Sequence, residues 1–201
     1  LGSLASLVRA PFGGSLKKEV FKPDGYAIYE QQHAIYDQFE DVRYFIDEQK
    51  FDEMKRFEVH PGEIIMSCSG TIGRVALVPE GGRSGIINQA LLWIATSDSC
   101  LGEYLLWYMR SSMFRAKIAE HSGGAALQNV ASVSILKGID VPLPSRAEQE
   151  SMVSKILDLL QASDEMKVLY ASKGVYLAQL KQSLLHRAFT GELTEREPLA
   201  A

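Results

Sequence analysis

Side chains able to read a base edge recur on the turns of this 201-residue chain. Arg9, Ser15, Lys17 and Lys18 surround a turn signal at Pro11 to Gly14, and Ser69, Thr71 and Arg74 bracket Gly70 and Gly73. Arg83 follows Gly81 and Gly82, and Gln128 and Asn129 follow Gly123 and Gly124. Amides pair bidentately with adenine and guanidinium groups with guanine, provided the backbone carries them into a groove. Taken one at a time, each lysine or arginine reads first as a solvated surface charge. Gln89 falls inside an expected strand, where an amide reads as readily as a satisfied interior group. The glycine pairs read as backbone devices rather than contacts.

Other chemistries find little support. Methylation of a base amino group needs a glycine-rich cofactor loop and an Asn or Asp followed by two prolines and an aromatic, and neither occurs. Residues 69–74 resemble a phosphate cradle, but the lysine and following hydroxyl of a P-loop are missing, as is dinucleotide spacing. Asp24 with Glu48 and Lys50 matches the loose pattern of metal-dependent nucleases, two carboxylates for the cation and a lysine near the attacking water. In a chain with 23% charged residues that match is close to chance. His33, His60, His121 and His186 are scattered and have no metal-ligand spacing. Nothing positive points to an enzyme, and no cofactor is implied.

The elements that must carry these groups are legible in part. Residues 63–68 and 74–78 read as two strands joined by the glycine turn, and 86–95 as a third. The first sixty residues are loop-rich, with a short strand at Tyr26, Ile28 and Tyr29 and another element at Ile35, Tyr36 and Phe39. Residues 102–121 have helical spacing, with Leu105, Tyr108, Met109, Phe114 and Ile118 inward, and 139–144 read as a returning strand. The fold class expected is α+β: a mixed α/β domain over residues 1–144, followed over 145–201 by a long coiled-coil-type helix and a short tail. No stretch approaches the roughly 18 apolar residues of a membrane span, so the reading is a soluble cytoplasmic protein. Cys68 and Cys100 suit free thiols in a reducing compartment.

The last third is the clearest. Pro142 and Pro144 forbid a helix upstream, Ser145 and Glu148 form a capping box, and Gly191 suits a left-handed stop, with Pro198 beyond it. About 45 residues at about 1.5 Å each would span roughly 65 Å. Val153, Leu157, Leu160, Val168, Ala171, Val175, Ala178, Leu185 and Phe189 recur at intervals of three and four, with Asp164 and Gln182 filling the register. Leu177, Leu180, Leu184 and Ala188 widen the stripe, which asks for a neighbouring helix. A helix folded back on its own domain, broken near Gly174, is the competing reading.

These residues carry a resemblance. The run Pro142-Leu-Pro-Ser-Arg-Ala-Glu-Gln149, with Leu180-Lys-Gln-Ser-Leu-Leu-His-Arg-Ala-Phe-Thr-Gly-Glu-Leu-Thr194, resembles the conserved helical region of type I restriction-modification specificity subunits. Ala10-Pro-Phe-Gly-Gly-Ser-Leu-Lys17, residues 61–74, Asn88-Gln89 and Gly123-Gly-Ala-Ala-Leu-Gln-Asn129 are similar to that family's target recognition domain. The resemblance implies a non-catalytic reader of one half of a bipartite double-stranded DNA target, working with modification (methyltransferase) and restriction subunits. Having one recognition domain and one helix, the chain looks like a half-sized subunit or a fragment, forming a homodimer through the helix. Charge opposes a solitary DNA binder: the net is -4, and residues 1–145 hold 14 Lys or Arg against 17 Asp or Glu. The expectation is that partners supply the phosphate grip while this chain supplies base contacts. The alternatives are an interaction module that dimerises without DNA, and the nuclease built on Asp24, Glu48 and Lys50.

Overall fold

A computed structural model describes residues 1–10, 16–69, 71–121 and 133–193. In chain order the elements are β1 Ala5–Arg9, β2 Tyr26–Tyr29, α1 Gln31–Tyr36, β3 Phe45–Ile46, α2 Glu48–Glu53, β4 Glu58–Val59, β5 Ile64–Ser67, β6 Val75–Leu77, β7 Gly85–Ile87, β8 Leu91–Thr96, α3 Gly102–Arg110, α4 Ser112–His121, α5 Val133–Gly138 and α6 Arg146–Phe189. The chain divides into two units, Leu1–Val153 and the remainder from Ser154.

The first unit holds two four-stranded sheets. One is antiparallel in the order β1-β8-β5-β6, and the other runs β3-β2-β7-β4, with β2 and β7 parallel. Side chains alternate across a strand, and the buried residues of β5 follow that period: Ile64 and Met66 face one cluster, Ile65 another. The first cluster joins Leu7, Leu92 and Ile94 to Leu105, Met109, Phe114 and Leu136 of the helices. A second joins Ile65, Ala76 and Leu91 to Tyr29, Ile87 and Ala34, and so glues one sheet to the other. The third packs Ile28, Ile46 and Ile86 against Phe51 and Met54. Where parallel β2 meets β7, a Cβ on Gly85 would stand 2.3 Å from the Ala27 carbonyl oxygen, so only glycine admits this pairing.

Five expectations change. The strand over 86–95 is two strands in different sheets, because the Asn88 side chain accepts from the Ala90 N–H (3.0 Å) and turns the chain between them. The helix over 102–121 breaks at Ser111, whose extended backbone ends α3 and whose hydroxyl accepts from the Phe114 N–H (3.2 Å) to open α4. Residues 139–144 form no strand. Their carbonyls are taken by side chains, Tyr108 and Lys117 at Asp140 and Tyr104 at Pro142, while Pro142 and Pro144 have no N–H for a ladder. The opening residues are better ordered than their pattern suggested, since β1 pairs with β8 over five residues. The element around Ile35 is α1, which ends at Tyr36 before Phe39.

In the second unit α6 runs to Phe189 without a break at Gly174. Gly191 has φ 86, the left-handed stop that its type suggested. Leu157, Leu160, Val168, Val175 and Leu185 are exposed in this single chain, Phe189 to 89%, as are Ala171 and Ala178. Val153 belongs instead to the first unit, where it packs against the first cluster. Among the described residues no helix is long and apolar enough to cross a membrane.

Candidate nucleic-acid interface

One end of the two sheets gathers the groups that could read DNA, and strand direction accounts for the gathering. Arg9 of β1 faces Leu92 of β8, Ser67 of β5 faces Leu91, and Met66 faces Val75 of β6, so the exit of β1, the β5–β6 hairpin and the entrance of β8 share an edge. Parallel β2 and β7 end at Tyr29 and Ile87, and the Asn88 N–H donates to the Tyr29 carbonyl (2.9 Å), bringing the second sheet to the same place.

Backbone hydrogen bonds hold the loops there in fixed relation. The Cys68 N–H donates to the Ala90 carbonyl (2.8 Å), tying the hairpin to the β7–β8 turn. Ser67, fully buried, donates its hydroxyl proton to the Thr71 carbonyl (2.5 Å), and its oxygen accepts from the Arg74 N–H (3.0 Å). Gly73 completes the turn at φ 75, which a residue with a Cβ adopts only under strain. Burial pushes the Cys68 thiol up to about 11, against the opposing charge of Arg9 nearby. Cys68 and Cys100 are both free and buried, which suits packing rather than reactivity.

Arg9, Ser69, Thr71 and Arg74 therefore come together, with Thr71 and Arg74 exposed and Arg9 and Ser69 half-buried. Ser15, Gln128 and Asn129 lie outside the described residues, as does Gly70. Arg83 does not join the group. It sits in the β6–β7 connection at the opposite end, pairs with Asp24 (2.5 Å) and lies over Phe45. Lys17 and Lys18 are exposed at the turn whose Val20 and Phe21 pack in the third cluster.

Gln89 requires a correction. It is exposed at the tip of the β7–β8 turn, between the hairpin and the end of β2, and not embedded in a strand. An Asn two residues before an alanine was the available signal for that turn, masked by the apolar run on either side.

Two further arginines were missed. Arg110 and Arg115, with Arg74, Tyr36 and Asp37, line a groove of about 470 Å³ beside the hairpin. Nothing in the helical periodicity of α3 and α4 distinguishes them from solvated charges. The β2–β3 pairing brings Asp24 to the same strand end as Glu48, but ion pairs outside the nuclease set occupy two of its members. Arg83 lowers the Asp24 carboxyl below its usual range by hydrogen bonding and charge, and Lys50 pairs with Glu53 (2.8 Å). Among the described residues no group of three or more His, Cys, Asp or Glu is placed to hold a metal ion.

Comparison with known proteins agrees with this architecture. A sequence model of the type I restriction modification DNA specificity domain matches residues 4–180. Similar proteins include the type I restriction enzyme EcoKI specificity subunit of Escherichia coli strain K12, 31% identical over 46% of this chain and 20% of that protein. The EcoBI specificity subunit of Escherichia coli is 26% identical over 71% of this chain and 30% of its own length. The chain thus matches at most about a third of the length of these relatives. The HsdS subunit from Thermoanaerobacter tengcongensis has the same fold at a TM-score of 0.67 and 17% identity, covering 94% of this chain and 43% of that one. A structure described as the basis of complex assembly and conformational transition of the type I R-M system gives 0.69 at 18% identity, covering 94% and 44%. With the family model spanning most of its length, this chain belongs to the type I restriction modification DNA specificity domain family.

Proposed function

We propose that the chain reads one half of a bipartite duplex target and positions modification subunits on it, leaving methyl transfer and cleavage to its partners. The observation that carries this reading is the convergence of the hairpin at residues 68–74, the turn at 88–90 and the exit of β1 at one sheet end. Loops cross-linked in this way present Thr71 and Gln89 at low ordering cost, as base readout needs. Residues 1–144 form the target recognition domain in this reading, and 145–201 the spacer. The exposed apolar stripe from Leu157 to Phe189 supports pairing with the helix of a second copy, which would set two readers at a fixed separation. The chain is non-catalytic and works in the cytoplasm beside the DNA it reads. A mobility shift with random-sequence duplexes tests this, run with and without modification subunits at stated salt. The expected result is retention of duplexes sharing an interrupted motif when the subunits are present. Equal retention of all duplexes, or none under either condition, rejects the reading.

A further inference from the structure

The acidic balance of the chain conceals a local surplus of positive charge. In the groove beside the β5–β6 hairpin, the guanidinium groups of Arg74, Arg110 and Arg115 meet, among the described residues, a single carboxylate, that of Asp37, in a protein whose net charge is -4. Arg110 is anchored. Its Nε and Nη2 donate to the Val75 carbonyl at 3.3 and 3.0 Å, Nη2 also reaches Asp37 at 2.7 Å, and the group lies over the Trp107 ring at 5.0 Å. Arg115 donates to the Arg110 carbonyl (3.3 Å), and Arg74 is exposed where the hairpin returns to β6.

That anchoring selects the kind of ligand. Strand β6 is an edge of its sheet, and such an edge invites an added peptide strand through its unpaired carbonyls. Here Arg110 already fills the outward carbonyl of Val75, so strand addition is blocked while positive charge is left facing the groove. Arg110 is half spent on Asp37, but Arg74 and Arg115 have no acidic partner among the described residues. Guanidinium groups offer forked donors matched to phosphate oxygens.

We infer that this groove takes a phosphodiester of the duplex backbone, so that the chain supplies part of its own phosphate grip through Arg74 and Arg115, with Arg110 as the fixed wall. The inference rests on the DNA-reading role proposed above. It differs from the expectation that partners provide all the backbone contacts.

The test uses the full chain assembled with its modification subunits. Dissociation constants for cognate and unrelated duplexes are measured between about 50 and 200 mM salt for the wild type, the double variant R74Q/R115Q and the charge-retaining R74K/R115K. Each lost phosphate contact lowers the slope of log K against log salt by about 0.9. The Gln pair is expected to lose between about one and two units of slope, to weaken cognate and unrelated duplexes by the same factor, and to leave the recognised motif unchanged. The Lys pair should keep most of the slope. An unchanged slope in the Gln pair, or a loss confined to the cognate duplex, overturns the groove assignment while the wild type still binds its motif. A wild-type assembly without DNA affinity overturns the reading beneath it instead. Both arginines are exposed, so thermal unfolding of the variants matching the wild type separates contact from folding.

Discussion

Gln149 shows how much one side chain can decide. It is fully buried and uses its whole amide: Oε1 accepts from the Leu101 N–H (2.8 Å), and Nε2 donates to the carbonyls of Ser99 (3.0 Å) and Pro144 (2.9 Å). Those bonds hold the first turn of α6 against the start of α3. The run Pro-Ser-Arg-Ala-Glu-Gln is therefore a docking device as well as a helix start. Gln149→Ala would leave the Leu101 N–H without its acceptor in a closed site, at a cost of about 2–3 kcal/mol. Urea unfolding measures it, and a change below about 0.5 kcal/mol would show that the amide is dispensable. Cys68 is the opposite case, a buried thiol whose surroundings disfavour the thiolate.

Among the elements, α6 opens by a mechanism that responds to pH. Glu148 accepts from the Ser145 N–H (2.8 Å) and hydroxyl (2.7 Å), and these bonds hold its carboxyl below its usual pKa. A group depressed in this way contributes above its unfolded pKa and ceases to contribute as pH falls through the folded one. Amide exchange corrected for its intrinsic rate should show the first turn, residues 146–149, opening more often on acidification below the ordinary carboxylate range. Glu148→Gln should flatten that response, and an equal pH response in the variant would remove Glu148 as its source. The hairpin at 68–74 needs no titratable group. Ser67 and the left-handed Gly73 hold its described residues in place.

At the scale of the molecule, the pairing proposed for α6 would make its length convert to DNA. Four residues inserted between Ser163 and Val175 lengthen the helix by about 6 Å. That corresponds to about two base pairs at roughly 3.4 Å each. Such a variant is expected to methylate the same two half-sites with a gap wider by about two base pairs, read out by methylome sequencing of cells carrying it with its partners. An unchanged gap would mean that the helix is not the spacer. The net acidity fits the same picture, because the charge that matters is the local surplus around Arg74, Arg110 and Arg115 rather than the total.

The sequence by itself determined what depends on neighbours along the chain. The α6 boundaries follow from prolines, a capping box and a left-handed glycine, the β5–β6 hairpin from its glycines, and the buried faces from period-two and helical spacing. These are short-range effects that residue type sets directly. Tertiary structure alone decided which loops share an end. Arg83 left the group for Asp24, Gln89 entered it because Asn88 turns the chain from one sheet into the other, and Arg110 reached the hairpin through the edge carbonyl of Val75. Sequence separation carries no information about such meetings, because they follow from strand order and the burial that packs the two sheets together.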